Sequence, residues 1–265
     1  MSQINNQHTF ALCAYKESPY LEECIQSLQN QTVSSKIILA TSTPCEYIEN
    51  VCKKYEIPYY VNRGEHGITQ DWTFAYHQCD TPIVTIAHQD DIYYDTYVEK
   101  LLEMAKKAKN PIIFSTDYDE LRDGEIVHKN TLLKIKRLMM WPLRFSIWQK
   151  SIWMRRRILS FGSPICCPSV AYFRDNMPEV IFRNHFRTNE DWEAWENLSR
   201  RKGEFLYVGK PLMAHRIHEE SETSATIRET GRGSEDMEMY LKFWPKWIAK
   251  ILCKFYQKSE DSNNL

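Results

Sequence analysis

The chain has 265 residues, 43% of them hydrophobic, which suits one large α/β domain or a domain with an extension. Its 8 cysteines hold no CxxC pair and sit mostly inside apolar patterns, which excludes a disulfide framework and leaves no ligand spacing for structural zinc. The formal charge of −1 hides a segregation: ten basic and no acidic residues lie between Glu125 and Asp175, five lysines lie in acid-free 240–259, and without those fifteen cations the net charge is −16.

The opening segment, MSQINNQHTF, lacks the charged-then-apolar pattern of a secretory leader, and no apolar run reaches the roughly 18–20 residues that span a bilayer, so a cytoplasmic location is expected. His8–Ala14 reads as a buried strand, and Ser18-Pro19 as the start of a helix with Glu22 and Glu23 in its first turn. Lys36–Thr41 is a second strand, Cys45–Tyr55 a helix, Pro58–Asn62 a strand and Ile68–Gln78 a helix. Pro82–Ala87 is a fourth strand, followed by a helix around Asp95–Lys109 and the strand Pro111–Thr116. Strands separated by helices of this length predict an α/β fold with a mostly parallel central sheet, helices on both faces. The second half is less regular: 126–160 is basic and aromatic, 184–202 reads as a helix with carboxylates near its start, and 238–257 as the last helix after a polar loop, Glu219–Glu235.

Ligands of open α/β sheets bind beyond the carboxyl ends of the strands. Those ends are polar here: Ala14-Tyr15-Lys16-Glu17, Thr41-Ser42, Asn62-Arg63 and His88-Gln89-Asp90-Asp91. Wet loops account for most of them. A strand running straight into paired carboxylates is different, because the two repel unless a cation lies near, and carboxylates suit Mg²⁺ or Mn²⁺ bridged to phosphate oxygens.

The segments ALCAYKESPYLEECIQSLQNQT, TIAHQDD, TNEDWEAW and HRIHEES, in that order, resemble family 2 of the GT-A glycosyltransferases over about residues 8–220. The resemblance implies a GT-A domain at 1–220, with a nucleotide-sugar half at about 1–120 and an acceptor half at about 121–220, then a loop and basic helix at 221–265. It implies an inverting, hexosyltransferase-type enzyme that uses Mn²⁺ or Mg²⁺ and a nucleotide-sugar donor, UDP-sugar first among them, on a glycan or lipid-linked acceptor. Ala14, Tyr15, Glu17 and Thr41 match the strand ends that hold the nucleotide, and Asp71 lies in the helix packed under its base. His88, Gln89 and Asp90 occupy the DxD slot: Asp90 becomes the metal ligand, His88 replaces the first aspartate, and Asp91 is placed to compensate. Asp191 matches the catalytic base, which takes the proton of a hydroxyl too weak to attack unaided. Arg216 and His218 match a segment that closes over the diphosphate, with Arg216 on phosphate and His218 on phosphate or metal. Cys166-Cys167-Pro168-Ser169 fits the stretch lining the acceptor side.

Read without the resemblance, Glu190 and Asp191 also suit a helix N-terminus, where the macrodipole favours carboxylates. A nucleotidyltransferase on a similar sheet is an alternative, though it typically carries a Gly-rich loop where this chain has ALCAYKESP. A membrane-surface binding protein with a dead site is another. The location rests on Lys242, Lys246, Lys250, Lys254 and Lys258, spaced every four residues, with Phe243, Trp244, Trp247, Ile248, Ile251, Leu252 and Phe255 expected on the opposite side. That pattern predicts either an interfacial helix on an anionic membrane, placing the protein on the inner face of the plasma membrane, or a core-packed helix with a solvated basic face. Nucleic acid is not expected as a partner.

Overall fold

A computed structural model describes residues 5–218 and 233–261. Strands β1 (Asn5–Ala14), β2 (Ser35–Thr41), β3 (Tyr59–Val61) and β4 (Ile83–His88) form a parallel half-sheet in the order β3-β2-β1-β4. The helices α1 (Leu21–Gln29), α2 (Glu46–Lys54) and α3 (Ile68–His77) connect them, so all four strands end on one side. β1 alternates in the way a sheet buried on both faces requires: Phe10, Leu12 and Ala14 join one core cluster, with α1, α2 and α4 (Tyr97–Lys107), while Ala11 joins the other, with Ala75 and Tyr76 of α3.

Beyond β4 the sheet turns mixed. β8 (Ala171–Phe173) lies antiparallel between β4 and β6 (Pro111–Arg122), and β9 (Glu204–Ile217) runs parallel to β6. β5 (Ile92–Tyr93) pairs antiparallel with β9, Ile92 opposite Ala214, and β7 (Glu125–Val127) forms a hairpin with β6. This two-residue strand matters most for function, because its register sets the residues just before Ile92 against those just after Ala214.

The basic, aromatic stretch folds into α5 (Thr131–Met140), α6 (Ser146–Gln149) and α7 (Ile152–Leu159). The side chains of Asn130 and Ser151 cap α5 and α7 by accepting the backbone N–H groups of Leu133 (2.8 Å) and Met154 (3.2 Å). α8 (Glu190–Ser199) begins six residues later than the sequence suggests. The expected single C-terminal helix is two, α9 (Gly233–Leu241) and α10 (Lys246–Asp261), because Pro245 lacks an N–H and disfavours helical backbone at the residue before it. Met239, Tyr240, Ala249 and Cys253 from this pair are buried in the core cluster that holds Trp192 and Trp195 of α8. Most of the expected loop Glu219–Glu235, the last three residues of HRIHEES and the side chain of Lys258 lie outside the described residues.

Candidate active site

At the carboxyl end of β1 the chain turns through Lys16, whose backbone is left-handed (φ 54°), a conformation a non-glycine residue holds only when its surroundings fix it. Here the Lys16 N–H donates to Thr43 Oγ1 (2.6 Å), and Gln89 grips Tyr15 from the other side, its Oε1 accepting the Tyr15 N–H (3.0 Å) and its Nε2 donating to the Tyr15 carbonyl (2.9 Å). The ends of β1 and β4 are thereby tied, with the Tyr15 ring and Glu17 left exposed and Ala14 and Thr41 buried. Asp71, in the first turn of α3, accepts from Ser42 Oγ (2.6 Å) and Asn62 Nδ2 (2.7 Å), which ties the ends of β2 and β3 to the same helix.

His88 ends β4 with its ring stacked on Trp72, centroids 5.2 Å apart and planes at 14°. Burial lowers its pKa against the pull of Asp91 and Asp90, and its Nε2 is buried without a hydrogen-bond partner. The next turn sends the adjacent carboxylates in different directions. Asp90, part-exposed, accepts from His218 Nε2 at 3.0 Å. Asp91 is fully buried, and one oxygen accepts both His215 Nδ1 (2.9 Å) and the Arg216 N–H (2.9 Å), while the other has no hydrogen-bond partner. The register of β5 on β9 accounts for this, because it sets Asp91 beside His215.

Alternation along β9 then divides its last residues between the two carboxylates. His215 goes to Asp91, whereas Arg216 and His218 share the side of Asp90. The Arg216 Nε donates to the Asp90 carbonyl (2.8 Å), its Nη2 to Glu23 on α1 (2.5 Å), and its guanidinium lies 4.1 Å from the Tyr20 ring centroid, which also flanks His218 at 5.2 Å. Burial raises the pKa of Asp90, but the His218 hydrogen bond and the nearby imidazoles of His88 and His215 outweigh it, so the net shift is downward. For His215 burial works to lower the pKa and the contact with Asp91 outweighs that, leaving it raised.

Asp191 stands in the first turn of α8, accepting its neighbour Trp192's N–H (2.5 Å) and the Ser163 hydroxyl (3.4 Å). It lies close enough to act electrostatically on His88 at the end of β4, as Asp90 and Asp91 do. In the Cys166–Ser169 segment the carbonyls of Pro168 and Ser169 accept the buried hydroxyls of Tyr93 (2.6 Å) and Tyr97 (3.2 Å).

Among the described residues no three His, Cys, Asp or Glu side chains converge on one point, so the expected trio of Asp90, Asp91 and His218 is brought together only as the pair Asp90–His218. The two are hydrogen-bonded at 3.0 Å, and with the His218 proton on Nδ1 instead that spacing also matches neighbouring corners of an octahedron with bonds of ~2.1 Å, about 3 Å, so the pair fits an Mg²⁺- or Mn²⁺-type ion that keeps most positions for water and phosphate.

Residues 9–182 match Glycosyl transferase family 2, more than half the chain. The chain belongs to that family. No curated protein sequence matches it. Among solved structures, S. aureus TarS 1-349 in complex with UDP-GlcNAc superposes with a TM-score of 0.64 at 11% identity, covering 93% of this chain and 70% of that one. The mannosyltransferase PcManGT of Pyrobaculum calidifontis, in complex with GDP-Man and Mn2+, superposes at 0.62 and 11% identity, covering 97% of this chain and 72% of that one. The protein is thus a glycosyltransferase with a GT-A fold, which sets aside the nucleotidyltransferase alternative.

Sequence reasoning missed several contributors to this glycosyltransferase site. Glu23 reads only as a first-turn acid of α1 and Tyr20 only as the residue before it, yet both hold Arg216 from far away in the chain. Trp72 and His215 were equally silent. The alternation HRIH carried a usable signal, because adjacent β residues face opposite sides and His215 therefore needs a partner other than that of Arg216.

Proposed function

We propose that the protein is a metal-dependent, inverting hexosyltransferase that moves a sugar from a nucleoside-diphosphate sugar, a UDP-sugar first among candidates, to a hydroxyl of a glycan or lipid-linked acceptor. The observation that carries this reading is the Asp90–His218 pair just past the end of β4, on the side where the strands of the parallel half-sheet end. Residues 1–120 supply the donor half: Ala14, Tyr15, Glu17 and Thr41 line the nucleotide, Asp71 supports its base side, and His88 and Gln89 shape the floor. Residues 121–220 supply the acceptor half. Asp90 and His218 would hold Mn²⁺ or Mg²⁺, which when bound would neutralise charge on the departing diphosphate. Arg216 adds its positive charge on the same side and holds the Asp90 backbone in place. Asp91 acts as a positioning residue, fixing His215 and the Arg216 backbone.

In the transfer step, Asp191 accepts the acceptor hydroxyl proton while that oxygen bonds to the anomeric carbon, and the bond from that carbon to the diphosphate oxygen breaks on the opposite face. Ser163 and the Trp192 N–H orient the two oxygens of Asp191. Calorimetric titration with UDP and with GDP tests the donor side. Binding in Mn²⁺ that disappears with chelator, and in Asp90→Ala and His218→Ala, is expected. Equal affinity with metal and with chelator contradicts the metal assignment.

A further inference from the structure

α10 packs on the core through Ala249 and Cys253, yet Trp247, Ile251 and Phe255, successive turns apart along it, stay between 48% and 69% exposed. Lys246, Lys250 and Lys254 run beside them, also exposed. A helix that only covers a core turns its large apolar residues inward and its charge outward. This one keeps a second apolar stripe on the outside, edged with cations, so the lysines and the aromatic residues share a face instead of opposing one another. Exposed apolar residues recur on α5–α7, where Leu138, Ile147 and Trp153 are 62–75% exposed. The parts are joined by Arg157, whose guanidinium lies 5.7 Å from the Trp153 ring and 4.7 Å from Trp244, two residues before α10.

We propose that this face docks on an anionic lipid bilayer and that the acceptor is an amphiphile held in that bilayer; the second half of this statement rests on the transferase reading. Charge complementarity selects the occupant, since both stretches that build the face lack acidic residues between Glu125 and Asp175 and over 240–259. Nucleic acid offers phosphates to the lysines but nothing to Leu138, Ile147 and Ile251. A second copy, meeting this one across a two-fold axis, brings the same cations against each other. An anionic bilayer satisfies both parts, taking Trp, Phe and Ile at its headgroup boundary and lysine at its surface. The face is also coupled to the chemistry. Tyr256, on the inner side of α10, packs on Trp192 (5.9 Å), the residue after Asp191, and a Cβ at Gly162, beside Ser163, would meet the Tyr256 ring at 2.9 Å. The docked helix therefore packs directly against the residue next to the proposed base, which places that base within about one helix diameter of the membrane surface.

The test is flotation of the full-length protein with vesicles of phosphatidylcholine alone and of phosphatidylcholine with phosphatidylglycerol, at low and high salt. Wild type is expected to float with the anionic vesicles at low salt and less at high salt. Removing three lysines in Lys246→Glu/Lys250→Glu/Lys254→Glu should lower partitioning at least 10²-fold, at roughly fivefold per lysine. Trp247→Ser/Phe255→Ser should weaken it at both salt concentrations. No flotation with anionic vesicles at low salt, or flotation unchanged in both variants, overturns the proposal. So does a wild-type dimer in sedimentation that Trp247→Ser/Phe255→Ser converts to monomer, which would assign the face to self-association. Mn²⁺-dependent UDP binding without vesicles keeps the two readings apart. Both variants should retain it, and a wild type that floats but binds no nucleotide overturns the acceptor half through the transferase reading while docking stands.

Discussion

Asp91→Ala separates a buried clamp from a metal ligand, the two roles open to the second of two adjacent carboxylates. In the folded protein its one engaged oxygen accepts two hydrogen bonds, from His215 and the Arg216 backbone, each 2.9 Å long. Hydrogen bonds to a charged acceptor contribute about 1.5–3 kcal/mol each, so truncation loses about 3–6 kcal/mol. The other oxygen is buried without a partner, a desolvation cost of about 1–3 kcal/mol that truncation relieves. Taking low with low and high with high, the net expectation is a loss of about 2–3 kcal/mol, and at about 2 °C per kcal/mol for a chain of this size Tm falls by about 4–6 °C. Scanning calorimetry without metal or nucleotide, run beside Asp90→Ala, reads this directly. Asp90 accepts one hydrogen bond, from part-exposed His218, so its loss should cost less, about 1.5 kcal/mol. Asp91→Ala melting at or above wild type would refute the reasoning, because that is the behaviour of two carboxylates that repel each other at an empty cation site.

Two further outcomes concern the frame around the site. Arg155 is buried on α7, its pKa lowered by burial to about 10, and donates to the carbonyls of Ser199 (2.8 Å), Gly203 (2.8 Å) and Arg201 at the end of α8; Arg155→Met should cost about 3–5 kcal/mol in urea unfolding, and a loss under about 1 kcal/mol would contradict its bridging role. His8 is buried between Ser35 Oγ and Thr85 Oγ1, each 2.9 Å away, and burial lowers its pKa from 6.5 to about 3. The unfolded chain therefore binds the extra proton between those values, so stability is full above pH ~6.5 and falls on acidification by up to about 1.4 kcal/mol per pH unit. His8→Asn should flatten that slope between pH 6.5 and 5 by about 2 kcal/mol in total, and an unchanged slope would place the acid sensitivity elsewhere.

The parallel half of the fold was legible because its strands are short apolar runs buried on both faces, ending in polar residues that mark the site side. β9 was not legible, since Gly209 and Pro211 interrupt its middle, where its register on β6 also shifts. α5 and α7 carried their cap signals in Asn130 and Ser151, but without acids or clear alternation the stretch read as charge and aromatics alone. In the site, Asp90 and His218 were legible as residue types at plausible ends. The opposite aims of Asp90 and Asp91 were not, because they depend on the pairing of β5 with β9, which brings together segments more than a hundred residues apart. Glu23 and Tyr20 were hidden for the same reason: their role lies in the one arginine they hold.

The most direct test of the central account, a sugar transferase whose base stands on α8, is single-turnover transfer by Asp191→Asn beside wild type with the same donor and Mn²⁺. The substitution keeps the side-chain shape and removes its basicity, so the account predicts a transfer rate lower by roughly 10²–10⁴ with the nucleotide Kd nearly unchanged. Transfer at the wild-type rate would contradict it and move the proton acceptor elsewhere, with neighbouring Glu190 the first residue to examine.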